Sequence, residues 1–141
     1  MYKVLFLDST IKYRSKFAEL YFNSICVEKG FNAIAYSAYF KDGNNTRPIM
    51  KNVIEHLDNL GINIHRVDHK FRTVNELLLE ISDKIICMDM EVQLPMMRKQ
   101  YPEYVRRATY WHFNPSFPPH VSLPRIQNEI DHFLASIMVT G

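Results

Sequence analysis

Cysteine is nearly absent from this chain. Cys26 and Cys87 are the only two, and both lie inside apolar runs. Each reads as a small buried hydrophobe, which excludes a disulfide framework and leaves a reducing, cytoplasmic setting as the expectation. Long apolar runs are missing too: none approaches the ~20 residues that span a bilayer, so no membrane partner is expected. The first residues carry neither a basic segment nor a small-residue cleavage site, and a strand from Tyr2 is expected there. An excess of one charge is also lacking. The formal net charge is +2, too small for the field that draws in nucleic acid. Arg98, Lys99, Arg106 and Arg107 cluster locally and read as a solvated face, with a dock for an acidic partner as the alternative. There is no repeat, linker or low-complexity tract.

What is present is the material of one core. The 141 residues are 47% hydrophobic, which suits a single folded domain over residues 1–141. Val4 to Leu7 is a continuous apolar run, as for a strand buried on both faces. Ser15 to Lys29 has helical periodicity and Gly30 stops it. Ala33 to Tyr36 reads as a strand, and Asp42 to Thr46 as a polar loop before Pro48. Met50, Val53, Ile54, Leu57 and Leu60 repeat at helical spacing, ended by Gly61. Ile62 to Val67 is a further strand candidate. Thr73 and Glu76 are spaced as a capping box before a helix whose buried face is Leu77, Leu78 and Ile81. Lys84 to Met88 is another strand. Asp89 is placed to cap the next helix, which Pro95 is expected to bend or restart. Ala108 to Trp111 is a strand, a Pro-rich loop follows, and Ser122 is placed to cap a last helix striped with Ile126, Ile130, Phe133, Leu134 and Ile137. Strands alternating with helices predict an α/β/α domain with a short parallel sheet of about four strands. Ligands of such sheets bind beyond the strands' carboxyl ends. The candidate rim is therefore the segments after Leu7, after Met88 and after Trp111.

The motifs along that rim resemble those of the low-molecular-weight protein tyrosine phosphatase family. An apolar strand leads into Asp8-Ser9-Thr10-Ile11-Lys12-Tyr13-Arg14-Ser15, then Ala18-Glu19 within a helix; the family has C-x-G-N-x-C-R-S followed by an Ala-Glu pair. Ser37-Ala38 is similar to its Ser-Ala-Gly, with Tyr39 for Gly. Gly43 and Pro48, Leu60 to Asn63, and Ser82 to Asp89 follow in the family's order, and Asn114-Pro115 falls where it has Asp-Pro. The resemblance implies an anion-binding loop, Ser9 to Ser15, at a helix N-terminus. Its amides and Arg14 converge on phosphate, while Tyr39 and Phe117 wall the pocket. It also implies a cysteine nucleophile at position 8 and an acid at position 114. Asp8 and Asn114 supply neither, and Thr10 and Ile11 stand where the family has Gly and Asn.

A carboxylate ~4 Å from one phosphate charge repels it by about 4 kcal/mol at an effective dielectric near 20, or roughly a thousandfold in affinity. The expectation is that Asp8 is a built-in anion taking the loop amides and Arg14, with simple capping of the first helix as the alternative. The function this implies is a catalytically silent relative that binds phosphate, a phosphopeptide or a protein partner at the loop rim. A hydrolase without cysteine and an oligomerising subunit are the other readings. Asp8 is similar as well to the strand-end aspartate of haloacid-dehalogenase phosphatases, but their second Asp is here Thr10. No cofactor is implied. His65, Asp68 and His69 are close in sequence without a second cluster, so no metal site is assigned, and His112 and His120 read as loop residues. Tyr13, Tyr39 and Phe117 are expected at the surface of the rim, with Trp111 and Phe113 in the core.

Overall fold

The protein is described by a computed structural model covering residues 1–9, 13–40, 51–62, 72–113 and 117–139. The elements are β1 (Tyr2–Asp8), α1 (Tyr13–Lys29), β2 (Ala33–Tyr39), α2 (Lys51–Asn59), α3 (Glu76–Ile81), β3 (Lys84–Cys87), α4 (Met90–Gln100), a 3-10 helix (Pro102–Arg107), β4 (Ala108–Tyr110) and α5 (Pro119–Val139). The four strands run parallel in the order β2-β1-β3-β4. Central β1 pairs Leu5 with Tyr36 on one side and Ile85 on the other.

The apolar run of β1 splits by the two-residue period of a strand. Val4 and Phe6 join the core beneath α1, α2 and α5, while Leu5 and Leu7 join the opposite core beneath α3, α4 and the 3-10 helix. Helices therefore cover both faces, the arrangement a parallel sheet requires. Phe6 is fully buried, with its ring 6.1 Å from Phe22 and 5.8 Å from Trp111, and contributes roughly 1.5–3 kcal/mol through burial. Gly30 and Gly61 end α1 and α2 at φ 65° and 78°, a conformation only glycine adopts cheaply. Beyond them Phe31 N–H reaches Cys26 O at 2.9 Å and Ile62 N–H reaches Leu57 O at 2.9 Å. The outer edge of β2 is protected: the Asn23 side chain holds both Ala35 N–H (2.7 Å) and Ala35 O (3.0 Å).

Several local expectations are corrected. Asn75, not Thr73, caps α3, accepting from Leu78 N–H at 2.8 Å. Thr73 is instead in a one-residue parallel bridge to Tyr39. The buried residue of α3 is Leu79, with Leu78 partly buried against the same core, whereas Leu77 and Ile81 are exposed. Pro95 lies inside a helix that continues through it. Asp89 precedes α4 but makes no side-chain cap. Ser122 is one turn inside α5, since that helix begins at Pro119, and its hydroxyl turns back to Phe117 O at 3.4 Å. The expected strand at residues 62–67, apart from Ile62, and the segment holding Gly43 and Pro48 lie outside the described residues.

Candidate functional site

The carboxyl ends of β1, β3 and β4 bring the three rim segments together, as the alternating pattern requires. Asp8 is the last residue of β1 and shares the face of Val4 and Phe6, the face covered by α1. Arg14 is the second residue of α1. Both side chains are fully buried. Arg14 Nε donates to Asp8 Oδ2 at 3.1 Å, and Arg14 Nη2 donates to Asp8 Oδ1, a bidentate pairing. The third guanidinium nitrogen, Nη1, donates to the carbonyl of Phe113, beyond β4.

Asp8 Oδ1 also accepts Ser9 N–H at 2.9 Å and Gln93 Nε2 at 3.1 Å. The Ser15 amide, at the start of α1, contributes as well. Burial pushes the Asp8 carboxyl above its ordinary value, opposed by the Arg14 charge and by the hydrogen bonds from Arg14, Ser9 and Ser15. All of these partners donate, and with the Arg14 charge they offset part of what burial costs the charged carboxylate. Gln93 turns its other end, Oε1, to the amide of Asp89 at 3.0 Å.

Tyr39 is corrected from its expected place at an exposed pocket wall. It is 1% exposed, packed beside Asp8, Glu19 and Ser15, and burial together with the two carboxylates pushes its phenol up. The Ser15 hydroxyl is buried against that phenol yet makes no hydrogen bond of full geometry. Next to it lies a second charged cluster, in which Lys16 Nζ reaches Glu19 Oε1 at 3.2 Å and Ser37 Oγ donates to the same oxygen at 2.6 Å. Phe117 is exposed, with the Arg125 guanidinium 5.1 Å above its ring. Trp111 is in the core and Phe113 packs against it at 5.9 Å.

Thr10, Ile11, Lys12 and Asn114 lie outside the described residues, as do His65, Asp68, His69 and the side chain of Tyr13. Among the described residues no cluster of His, Cys, Asp and Glu is placed to hold a metal. Burial, and then the Asp8 carboxylate, push the Cys87 thiol up to about 12; burial pushes Cys26 to about 11. Neither is an activated nucleophile. No described helix is long and apolar enough to cross a membrane. Within the basic cluster, Arg107 is tied down, donating to Ser82 O at 3.0 Å and lying 5.2 Å over the Tyr104 ring.

The shape matches solved phosphatases. A low-molecular-weight protein tyrosine phosphatase from T. tengcongensis superposes with TM-score 0.83 at 23% identity, covering 96% of this chain and 99% of that one. This is the low-molecular-weight protein tyrosine phosphatase fold. YfkJ from Bacillus subtilis is similar at TM-score 0.82 and 23% identity, covering 99% of this chain and 96% of its own. The YwlE arginine phosphatase from Geobacillus stearothermophilus gives 0.75 at 15%, covering 99% and 94%. No family model matches the sequence, and no curated protein matches it. The likeness is therefore one of fold. On that fold the turn between β1 and α1 begins with Asp8.

Gln93 is the site residue that sequence reasoning missed. Its signal was a polar side chain four positions before Met97, the other buried residue of α4. Lys16, Glu19 and Ser37 were also missed as a cluster, because residues 18 apart in sequence meet only once α1 lies on β2. The carbonyl of Phe113 has no sequence signal at all.

Proposed function

We propose that this protein keeps the phosphatase fold without the hydrolysis, and that its rim binds a protein partner rather than a phosphate. One observation carries the reading: Arg14 gives two of its nitrogens to Asp8 and the third to Phe113 O. The charge that a phosphate would bring is already supplied from within. An incoming dianion must displace or repel a buried carboxylate, at a cost of about 4 kcal/mol per charge at ~4 Å. Catalysis lacks its parts as well. A carboxylate attacks phosphorus with a cation to neutralise charge, and the nearby Arg14 is committed to neutralising the carboxylate itself. Among the described residues, Phe117 is exposed, with the Arg125 guanidinium over its ring, and it lies three positions after Asn114 in sequence. Aromatic side chains and arginine are enriched at protein interfaces, which supports this reading.

The test is hydrolysis of an aryl phosphate by the native chain, by Asp8→Cys and by Asp8→Cys with Asn114→Asp. The expected result is a silent native chain and turnover in the double variant. Turnover by the native chain that Asp8→Ala abolishes overturns the proposal and makes Asp8 a catalytic group.

A further inference from the structure

The bonds around Asp8 close on themselves. Asp8 accepts from Gln93 Nε2, and Gln93 Oε1 holds the amide of Asp89. The residues on either side of Asp89 are tied to the segment beyond β4: Met90 N–H reaches Trp111 O at 2.9 Å, and Phe113 N–H reaches Met88 O at 2.9 Å. Phe113 O takes Arg14 Nη1, and Arg14 returns to Asp8. The ring passes once through each rim segment. Most of its links are backbone groups or the ion pair itself. The exception is Gln93, fully buried, whose two ends both lie within the ring.

We infer that Gln93 is the positioning residue of this site: its amide fixes the Asp8 carboxylate against Arg14, and through Asp8 and Arg14 it holds the segment beyond β4 to the start of α1. The inference rests on the reading of Asp8 as the resident anion facing Arg14 and names what keeps it there. Three features support it. A glutamine is costly to bury unless both ends are bonded, and here both are. Glutamine supplies a donor and an acceptor together, which this link needs: a donor toward a carboxylate and an acceptor toward an N–H. Gln93 bonds neither Arg14 nor Phe113, so any effect of Gln93 on those two passes through Asp8 or the Asp89 segment.

The test is NMR on the full chain with Gln93→Met, which keeps length and apolar volume and removes both polar ends. The Arg14 Nε–H resonance reports the ion pair directly. Loss of a hydrogen bond to a charged group predicts hydrogen exchange at Arg14 Nε–H faster by about tenfold or more. The amides of Trp111 to Phe113 are expected to accelerate with it. Acceleration confined to Asp89 through Gln93 overturns the inference, because Gln93 then serves only the start of α4. If Gln93→Met does not fold, Gln93→Glu gives the same answer. The ring predicts a loosened Arg14 signal at neutral pH that recovers as the new carboxyl is protonated and can again donate. An Arg14 signal indifferent to pH overturns it. Aryl-phosphate turnover by the native chain is a separate result: it overturns the reading of the site as catalytically silent and leaves the ring untouched.

Discussion

Helix α1 carries two buried ion pairs within its first two turns, and they are built differently. Arg14 meets Asp8 across a strand end, bidentate, with both groups sealed from water. Lys16 meets Glu19 three residues along the same helix through a single 3.2 Å contact, and Glu19 keeps 10% of its side chain exposed. The first pair joins separate elements and lies where this fold's helix N-terminus faces the strand ends. The second fastens α1 to β2 through Ser37. A guanidinium forms a planar fork that fits a carboxylate, whereas an ammonium is a point charge that shares itself among partners. The contrast separates a site residue from a packing device more sharply than burial does, since Arg14 and Lys16 are equally buried.

Removing one partner from each pair tests that contrast directly. Asp8→Ala strands a buried guanidinium and is expected to cost about 3–5 kcal/mol. Glu19→Gln keeps an acceptor for Ser37 and Lys16 and is expected to cost about 1.5–3 kcal/mol. Urea unfolding of the two variants beside the native chain measures both. Equal losses would erase the distinction between the pairs. A larger loss at Glu19 would reverse it and make the α1–β2 fastening the more important of the two.

Replacing both members of the first pair is gentler and depends on pH. Asp8→Leu with Arg14→Met removes the charge and its partner together, and buried pairs so replaced often lose nothing, so stability at pH 7 is expected within about 1 kcal/mol of native. The sign of the pH dependence follows from the upward shift of Asp8, whose largest cause is burial. A carboxyl raised on folding stabilises most below its unfolded value of 3.8 and loses that contribution as pH rises through its folded value. The native chain should therefore gain on the double variant as pH falls toward 3.8. Urea midpoints taken at steps from neutral to that pH measure the gap. A gap that widens in the opposite direction would mean that Arg14 outweighs burial at Asp8.

Much of this architecture was legible in the amino-acid sequence. The apolar run of β1, the two helix-ending glycines and the alternation of strands and helices place the rim, because each depends on local periodicity or on one backbone conformation. Asp8 and Arg14 were legible as a pair because they flank a single turn. The misreadings share a cause: they concern groups whose surroundings are set by tertiary packing. Tyr39 looked like a rim residue because nothing local shows that the chain at 72–74 pairs alongside it, Tyr39 N–H donating to Arg72 O and Tyr39 O accepting from Val74 N–H. Gln93 was hidden by Pro95, which argues locally for a broken helix. Leu77 and Ile81 fit a helical stripe, but α3 is six residues long and the sheet covers only Leu79 closely.

The smallest expected effect calibrates the other two. Arg107 and Glu80 form a third pair, 3.6 Å apart, with side chains 43% and 67% exposed. Water already solvates both groups, so their attraction is screened and ordering two long side chains offsets part of it. A double-mutant cycle with Glu80→Gln and Arg107→Met is expected to give a coupling of about 0.2–1 kcal/mol, shrinking as salt is added. The cycle also separates charge from packing. Arg107 stacks on Tyr104 and holds Ser82 O, so Arg107→Met alone should cost more than the coupling does. A coupling as large as the Asp8 loss would mean that exposure is not what distinguishes these pairs. The comparison along α1 would then have to rest on geometry alone.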